Sequence, residues 1–323
     1  MFEYIVRRLL WAIITIALVI AATFWIFFVI GGGKKIEGQE VSPAAVLLAG
    51  RRVVDFDYVR QLNEELGLGK PLYEQFAIYV KNLARGDFGY DFRNAAPVRP
   101  IVMASVPVTA SLALGASAIW LAIGIPAGAI AARKHRSFTD RGLMALALVL
   151  LSLPVFWVGL MAYRYFVINN IYEIDAYVGI SEDPLGWAKA MWLPCSVLAL
   201  SFIGPYFRMV RGNMLNVGHE DYMKTAIAKG LPERKVIRHQ MRGSITPVLT
   251  LYGLDLGVLM GGAVIIETIF RLPGLGSLAL NAANNLDFPY LVGVVVVASI
   301  GVVIANLVVD ILYAFLDPRV GTR

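Results

Sequence analysis

Charged residues are scarce in this chain. Only 16% of its 323 residues are Asp, Glu, Lys or Arg, whereas 58% are hydrophobic. Soluble domains carry about 25% charged residues, so the composition argues against a soluble protein. The net charge of +6 is explained by membrane topology and by anionic lipid headgroups, and no nucleic-acid partner is expected. The composition therefore predicts a membrane protein.

Residues that carry catalysis or bind metals are also few. The three histidines, His135, His219 and His239, all lie in polar loops, so a buried Ser-His pair or an intramembrane His-metal site cannot form. The single cysteine, Cys195, has no partner for an intrachain disulfide. The phosphate-binding pattern G-x-x-x-x-G-K-[ST] is absent. The sequence predicts no catalytic residue, no metal site and no bound cofactor, and any ATPase must be another chain.

Long apolar runs make up most of the chain. A helix needs about 18 or more apolar residues to cross a bilayer. The first run is longer than the core of a signal peptide, so we interpret it as a retained helix. An all-α polytopic membrane protein with six transmembrane helices is predicted. The six runs are 9–30, 107–132, 142–168, 190–210, 246–270 and 290–316. They define an N-terminal helix at 1–30, an extracytoplasmic segment at 31–104 and a five-helix core at 105–323, with a polar loop at 212–246.

Lysine and arginine are concentrated in alternate loops. They precede the first run and occupy the loops between runs two and three and between runs four and five, whereas the opposing short loops are acidic. The positive-inside rule then places both termini in the cytoplasm and the segment 31–104 outside, since loops longer than about 60 residues cross regardless of charge. In that segment, helices are expected at Tyr58–Leu66 and from Pro71 to Leu83. The segment fits a cap over the outer mouth, a docking surface, or both.

Glycines recur at four-residue intervals inside the fifth run. Spacing of this kind lets helix backbones approach closely, so packing is favoured over substrate contact. The residues concerned are Gly253, Gly257 and Gly261. Ionisable residues at membrane depth are functional candidates because burying them is costly. Asp255 is expected to face the bundle or a watery path, whereas Glu267 and Asp310 lie nearer helix ends and are expected to reach an interface.

The loop 212–246 carries the signals of a short, well-delimited helix. Asp221 is suited to the N-cap or first turn, Lys229 to the last turn and Gly230 to the left-handed position that follows, and Pro232 prevents continuation. A helix of about nine residues is marginal alone. It should dock in a groove through Tyr222, Thr225, Ala226 and Gly230. A second helix, Glu233–Arg242, carries arginines on one stripe and is expected to bind anionic lipid.

This loop resembles a known family. Asp221-Tyr-Met-Lys-Thr-Ala-Ile-Ala-Lys-Gly-Leu-Pro232 is similar to the coupling loop in permease subunits of type I ATP-binding-cassette importers, and more specifically to the oligopeptide and dipeptide branch. Lys224 and Thr225 replace the Glu and Ala of the general motif, and Gly243 replaces a frequent proline. Further similar stretches follow in family order: Tyr4–Leu10, Leu66–Leu72, Gly86–Tyr90, Leu153–Gly159, Glu267–Gly276 and Asp310–Arg319.

The resemblance implies the type I importer permease fold, in the cytoplasmic membrane of a bacterium or archaeon. It also implies a second permease, two ATP-binding subunits that use ATP and Mg, an external substrate-binding protein and a peptide substrate. Glutathione and nickel chelates are alternative cargoes. Two other classes stay open: an ion-driven secondary transporter working through Asp255, and a membrane-anchored scaffold or receptor using 31–104. Neither would need an ATPase partner.

Overall fold

The computed structural model describes residues 2–26, 34–36, 39–41, 70–91, 96–172, 177–285 and 287–316. Helices dominate this part of the chain, and two small antiparallel hairpins lie in the segment between the first two spans. The helices are α1 Phe2–Phe24, α2 Leu72–Ala84, α3 Val98–Arg133, α4 Phe138–Ser152, α5 Val155–Ala162, α6 Pro184–Gly218, α7 Asp221–Ala228, α8 Glu233–Met260, α9 Val264–Ile269, α10 Leu275–Asn285 and α11 Phe288–Leu316.

Long helices α3 and α6 form the centre of the bundle. They pack along most of their length, because small residues on α3 let the backbone of α6 come close. A Cβ at Gly128 would lie 2.7 Å from the carbonyl oxygen of Phe207, and a Cβ at Gly124 would lie 3.1 Å from Cβ of Tyr206. Only glycine fits either site without a shift of α6.

Helices α8 and α11 form a second close pair. A Cβ at Gly253 would lie 2.7 Å from Cγ1 of Val309, and one at Gly257 would lie 2.9 Å from Oδ1 of Asn306. Gly261 ends α8 instead of packing tightly, and Gly262 beside it has a φ of 116°. The structure thus places the first two glycines of the ladder in a helix interface and the third at a break in the chain.

The predicted run 142–168 is not a straight helix. Helix α4 ends at Ser152, and the chain turns by 91° before it continues as α5 and a short π-helical segment, Tyr163–Val167. Pro154 causes the break, because it lacks an amide hydrogen and disfavours helical backbone at Leu153. Among the residues that the structure describes, five helices are long and apolar enough to span a membrane, and counting this bent pair as one span gives six.

Two boundaries predicted around the fifth run are wrong. The sequence predicts a single span over residues 246–270. Instead, α8 ends at Met260 and the separate helix α9 begins at Val264, because Gly261 and Gly262 interrupt the helix. Glu233–Arg242 was expected to be an independent helix. It is instead the first part of α8, which continues unbroken through Pro247 into the span.

The described part of segment 31–104 contains short elements. Strands Lys34–Ile36 and Gln39–Val41 pair antiparallel, as do Tyr90–Asp91 and Ala96–Pro97. Helix α2 begins directly after Pro71, as predicted, and it packs against α1, where Phe24 meets Phe76 edge to face at 5.2 Å. The helix predicted at Tyr58–Leu66 lies outside the described residues.

Candidate functional site: the coupling loop and the acids within the bundle

Helix α7 is delimited as its sequence predicts. It spans Asp221–Ala228, with Asp221 in its first turn and Lys229 as its C-cap. Gly230 has a φ of 72°, a conformation that glycine adopts without strain. The amides of Gly230 and Leu231 donate to the carbonyl oxygens of Ile227 and Ala226 at 2.9 and 3.3 Å, which closes the helix with the hydrogen bonds of a Schellman motif.

A single buried side chain, Met223, attaches α7 to the rest of the molecule. Met223 is 1% exposed. Among the described elements, the substantial contacts of α7 are with α6 and α8. Tyr222, Thr225 and Lys229 are exposed and Ala226 is half-buried. Thr225 and Lys229 therefore lie on the open side of the helix and Ala226 at its margin, whereas the partly exposed Tyr222 extends its hydroxyl toward Gly243 of α8. No signal in the sequence distinguishes the buried Met223 from Ile227, which is 59% exposed.

The helices that carry α7 are fastened to each other. Gln240 on α8 donates through Nε2 to the carbonyl oxygen of Met214 on α6 at 2.6 Å, and Asn213 Nδ2 donates to Ser244 O at 3.3 Å. A Cβ at Gly243 would lie 2.6 Å from the hydroxyl oxygen of Tyr222. Glycine at position 243 thus leaves room for the Tyr222 side chain.

Two ion pairs connect α6 and α8 to neighbouring helices. Arg211 on α6 donates from Nε and one terminal nitrogen to the two carboxylate oxygens of Asp140 at 2.6 and 2.8 Å. The Asp140 side chain is 4% exposed and that of Arg211 is 18% exposed. Arg133 at the end of α3 pairs with Glu233 at the start of α8, but both side chains are well exposed. Movement of α6 is therefore linked directly to the α3–α4 turn.

We expect the Arg211–Asp140 pair to contribute substantially to stability. Asp140→Ala should lower the free energy of unfolding by about 3 kcal/mol, because it leaves a guanidinium in a mostly buried position without its carboxylate. The matched control is Glu233→Ala, which breaks the exposed pair and should cost less than about 1 kcal/mol. Thermal unfolding of the purified variants measures both losses. Equal losses in the two variants would contradict the structural role given to Asp140.

The three intramembrane acids have different surroundings. Asp310 on α11 pairs with Arg8 on α1, with 3.1 Å between Oδ2 and Nη1. Asp255 on α8 is half-buried, and its Oδ2 accepts a hydrogen bond of 2.8 Å from the hydroxyl of Tyr206 on α6. Through Tyr206, Asp255 borders a cluster of aromatic rings, which is formed by Trp120, Phe202, Tyr206 and Tyr252.

Glu267 is fully buried and joins three parts of the chain. Its carboxylate accepts hydrogen bonds from Thr109 Oγ1 on α3 at 2.8 Å, from the amide of Ser277 on α10 at 2.8 Å and from the amide of Ala263 at 3.3 Å. The amide of Leu275 in turn donates to Thr109 Oγ1 at 2.8 Å. The expectation that Glu267 reaches an interface near a helix end is wrong, because this side chain is 0% exposed.

No group of three or more His, Cys, Asp or Glu side chains is placed to hold a metal ion within the described ranges. The notable features are the short exposed helix α7, held by α6 and α8, and the half-buried carboxylate of Asp255 inside the bundle. Comparison with known families accounts for this combination. A model described as binding-protein-dependent transport system inner membrane component matches residues 124–322, and the model of the corresponding N-terminal part matches residues 1–113.

The chain belongs to this family of permeases. One relative of the permease is a putative peptide transport system permease protein of Brucella abortus, 39% identical over 85% of this chain and 88% of the relative. Another is a di/tripeptide transport system permease protein of Pseudomonas aeruginosa, 35% identical over 99% of both chains. An oligopeptide transport system permease protein of Bacillus subtilis is 34% identical over 80% of this chain and 84% of its own length.

These matches confirm the resemblance to ATP-binding-cassette importer permeases and the type I permease fold. The permease is a multi-pass membrane protein, in agreement with its apolar helices. The roles of the individual residues are a separate question, since belonging to the family does not assign a contact to Ala226 or to Asp255. Those roles depend on the geometry described above.

Proposed function

We propose that this permease is the membrane subunit of an ATP-driven peptide importer, and that α7 is the helix through which it couples to separate ATPase subunits. Each of the three relatives described above has peptide or oligopeptide transport in its name. The chain forms half of the translocation pathway and performs no chemistry of its own. Glutathione and nickel chelates are the alternative cargoes for a permease of this kind.

The observation that carries the proposal is the attachment of α7. A short helix with an exposed outer side is marginal in water unless something covers it. Here Met223 holds the inner side while Tyr222, Thr225 and Lys229 are exposed. An ATPase groove that receives Tyr222, Thr225, Ala226 and Gly230 would bury this outer side. The exposed arginines of α8, Arg234, Arg238 and Arg242, lie beside it and suit anionic lipid headgroups.

Coupling requires that a force on α7 reach the bundle. Helices α6 and α8 hold α7 between them, and the Arg211–Asp140 and Arg133–Glu233 pairs connect them to α3 and α4. Closure of two ATPases on ATP would draw the coupling helices of two permeases together and turn the bundles from inward-facing to outward-facing. Hydrolysis would reset them. The protein's part is to favour one of two packed states at a time.

The proposed complex contains a second permease, two ATP-binding subunits that use ATP and Mg, and an external binding protein that delivers the peptide. Both termini and α7 then face the cytoplasm, where ATP is available, and segment 31–104 faces outside. The location is the cytoplasmic membrane of a prokaryote. This orientation agrees with the clustering of Arg and Lys around α7 and the α3–α4 turn.

Affinity purification of the tagged chain from membranes tests the proposal. ATP-binding subunits and a second permease should co-purify with it, and the complex should hydrolyse ATP faster when peptide-loaded binding protein is present. An ion-driven secondary transporter would purify without ATPase subunits and would require an ion gradient for uptake. Purification without an ATPase, together with gradient-dependent uptake, would therefore refute the proposed function.

A further inference from the structure

Four aromatic rings form a cluster centred on Trp120, and one of them, Tyr206, donates a hydrogen bond to Asp255. Trp120 on α3 stacks on Phe202 with 4.5 Å between ring centroids, and its ring lies 5.8 Å from Tyr206 and 6.4 Å from Tyr252. Ser117 Oγ lies 3.3 Å from the hydroxyl of Tyr252. Helices α3, α6 and α8 each contribute to this cluster, so it lies where the three helices meet.

The carboxylate of Asp255 is incompletely satisfied. No Lys, Arg or His within the described ranges pairs with it, and only Oδ2 has a hydrogen-bond donor, the Tyr206 hydroxyl. A carboxylate inside a membrane bundle is costly without a counter-charge. Oδ1 therefore offers an unused acceptor for a cationic group.

The site opens on one side of the bundle. Trp120 and Tyr206 are buried, whereas Phe202, Tyr252 and Asp255 are half-buried. Val258, one turn beyond Asp255 on α8, is 73% exposed. A carboxylate at the border of such a face would be unfavourable against lipid hydrocarbon, so this edge fits the side of the bundle that meets the second permease and the pathway between them.

We propose that Asp255, at the edge of this aromatic cluster, forms a site for the α-ammonium group of a peptide in transit. The ammonium donates to Asp255 Oδ1 and lies near aromatic faces, which attract cations. Tyr206 does not contact the peptide. It is a positioning residue that holds Oδ2 and so directs Oδ1 toward the open side.

This site assignment rests on the proposed peptide import. Initial uptake of trialanine and of N-acetyl-trialanine is measured in proteoliposomes that contain the complete importer, at concentrations that give measurable uptake of both. Acetylation removes the ammonium charge and leaves the rest of the peptide. The trialanine to N-acetyl-trialanine ratio in the wild type is divided by the ratio in Asp255→Asn. The selectivity of the external binding protein cancels, because the same protein serves both variants.

A double ratio of about ten is expected, because a hydrogen bond to a charged acceptor binds the ammonium group roughly tenfold more tightly than one to a neutral amide. Tyr206→Phe, which keeps the ring and loses the hydroxyl, should lower the selectivity of the importer by a smaller factor. Asp255→Glu should restore part of the selectivity. Asp310→Asn is the matched control, because it neutralises an intramembrane acid outside the cluster, and it should leave the ratio unchanged.

The other outcomes overturn the assignment in distinguishable ways. Uptake of both peptides with a double ratio of one would refute the ammonium site but leave the proposed peptide import intact. Equal loss of both peptides in Asp255→Asn would make the residue structural. Dependence on a sodium or proton gradient that disappears in that variant would make an inorganic cation the ligand. Failure of the wild type to take up either peptide would refute peptide import itself, and the ammonium site with it.

Discussion

Ala226→Glu should abolish stimulation of the partner ATPases by the permease and, with it, transport. Ala226 lies half-buried at the margin of the exposed side of α7, one turn from Met223. A groove shaped for a methyl group has no room for a longer side chain, and burial of an unpaired carboxylate is strongly unfavourable. Assembly into the membrane should be unaffected, because the buried attachment through Met223 is retained. ATP hydrolysis by the reconstituted complex, with and without loaded binding protein, measures the effect.

Two variants control for damage to the helix itself. Ala226→Ser keeps the small size and should retain stimulation. Ala228→Glu makes the same change two residues later, about 200° around the helix, where the side chain is exposed. It should retain most of the stimulated activity. If Ala228→Glu is inactive and Ala226→Glu is active, the docking side has been placed on the wrong face of α7.

Glu267→Ala should be among the most destabilising single substitutions in the described bundle. It removes the acceptor for Thr109 Oγ1 and for the amides of Ser277 and Ala263, all at a fully buried position. Buried donors without acceptors cost about 1–3 kcal/mol each and do not add fully. A total loss of about 4 kcal/mol would lower the melting temperature by roughly 10 °C. Thermal unfolding of the purified protein measures this change.

Glu267→Gln should be intermediate for a specific reason. Its amide nitrogen must face either Ser277 N–H or the side of Thr109 and Ala263, so at least one donor meets another donor. Thr268→Ala is the matched control, because Thr268 is exposed and its hydroxyl bonds only within its own helix. A melting temperature for Glu267→Ala as high as that of Thr268→Ala would show that the buried carboxylate does not hold α9 and α10 to α3.

Features with local signals were predictable from the sequence. The bounds of α7 follow from Asp221, Gly230 and Pro232, which start or stop a helix regardless of tertiary contacts. The start of α2 after Pro71 has the same origin. The single-helix expectation for 246–270 failed even though its signal was local. Gly261 belongs to the predicted packing ladder, but together with the adjacent Gly262 it also weakens the helix, and Gly262 adopts a positive φ.

Features that depend on distant residues were not predictable. Glu267 is satisfied by Thr109, which lies 158 residues earlier, and Arg211 finds Asp140 across 71 residues. Neither pairing leaves a periodic trace in the sequence. The aromatic cluster at Asp255 is similar, since its rings come from three helices. A single sequence could identify Asp255 as unusual for its depth, but it could not supply Tyr206 as its hydrogen-bond donor.

The continuity of α8 has a mechanical consequence. Glu233 stands beside α7, the proposed coupling helix, and Asp255 lies 22 residues later on the same uninterrupted helix, a distance of about 33 Å at 1.5 Å per residue. A tilt of about 10° around the base would displace the carboxylate by roughly 6 Å, about one helical turn. In the proposed importer, α8 would thus act as a lever arm. Release of the peptide's amino end would then occur in the same stroke as ATPase movement, without a relay of intermediate rearrangements.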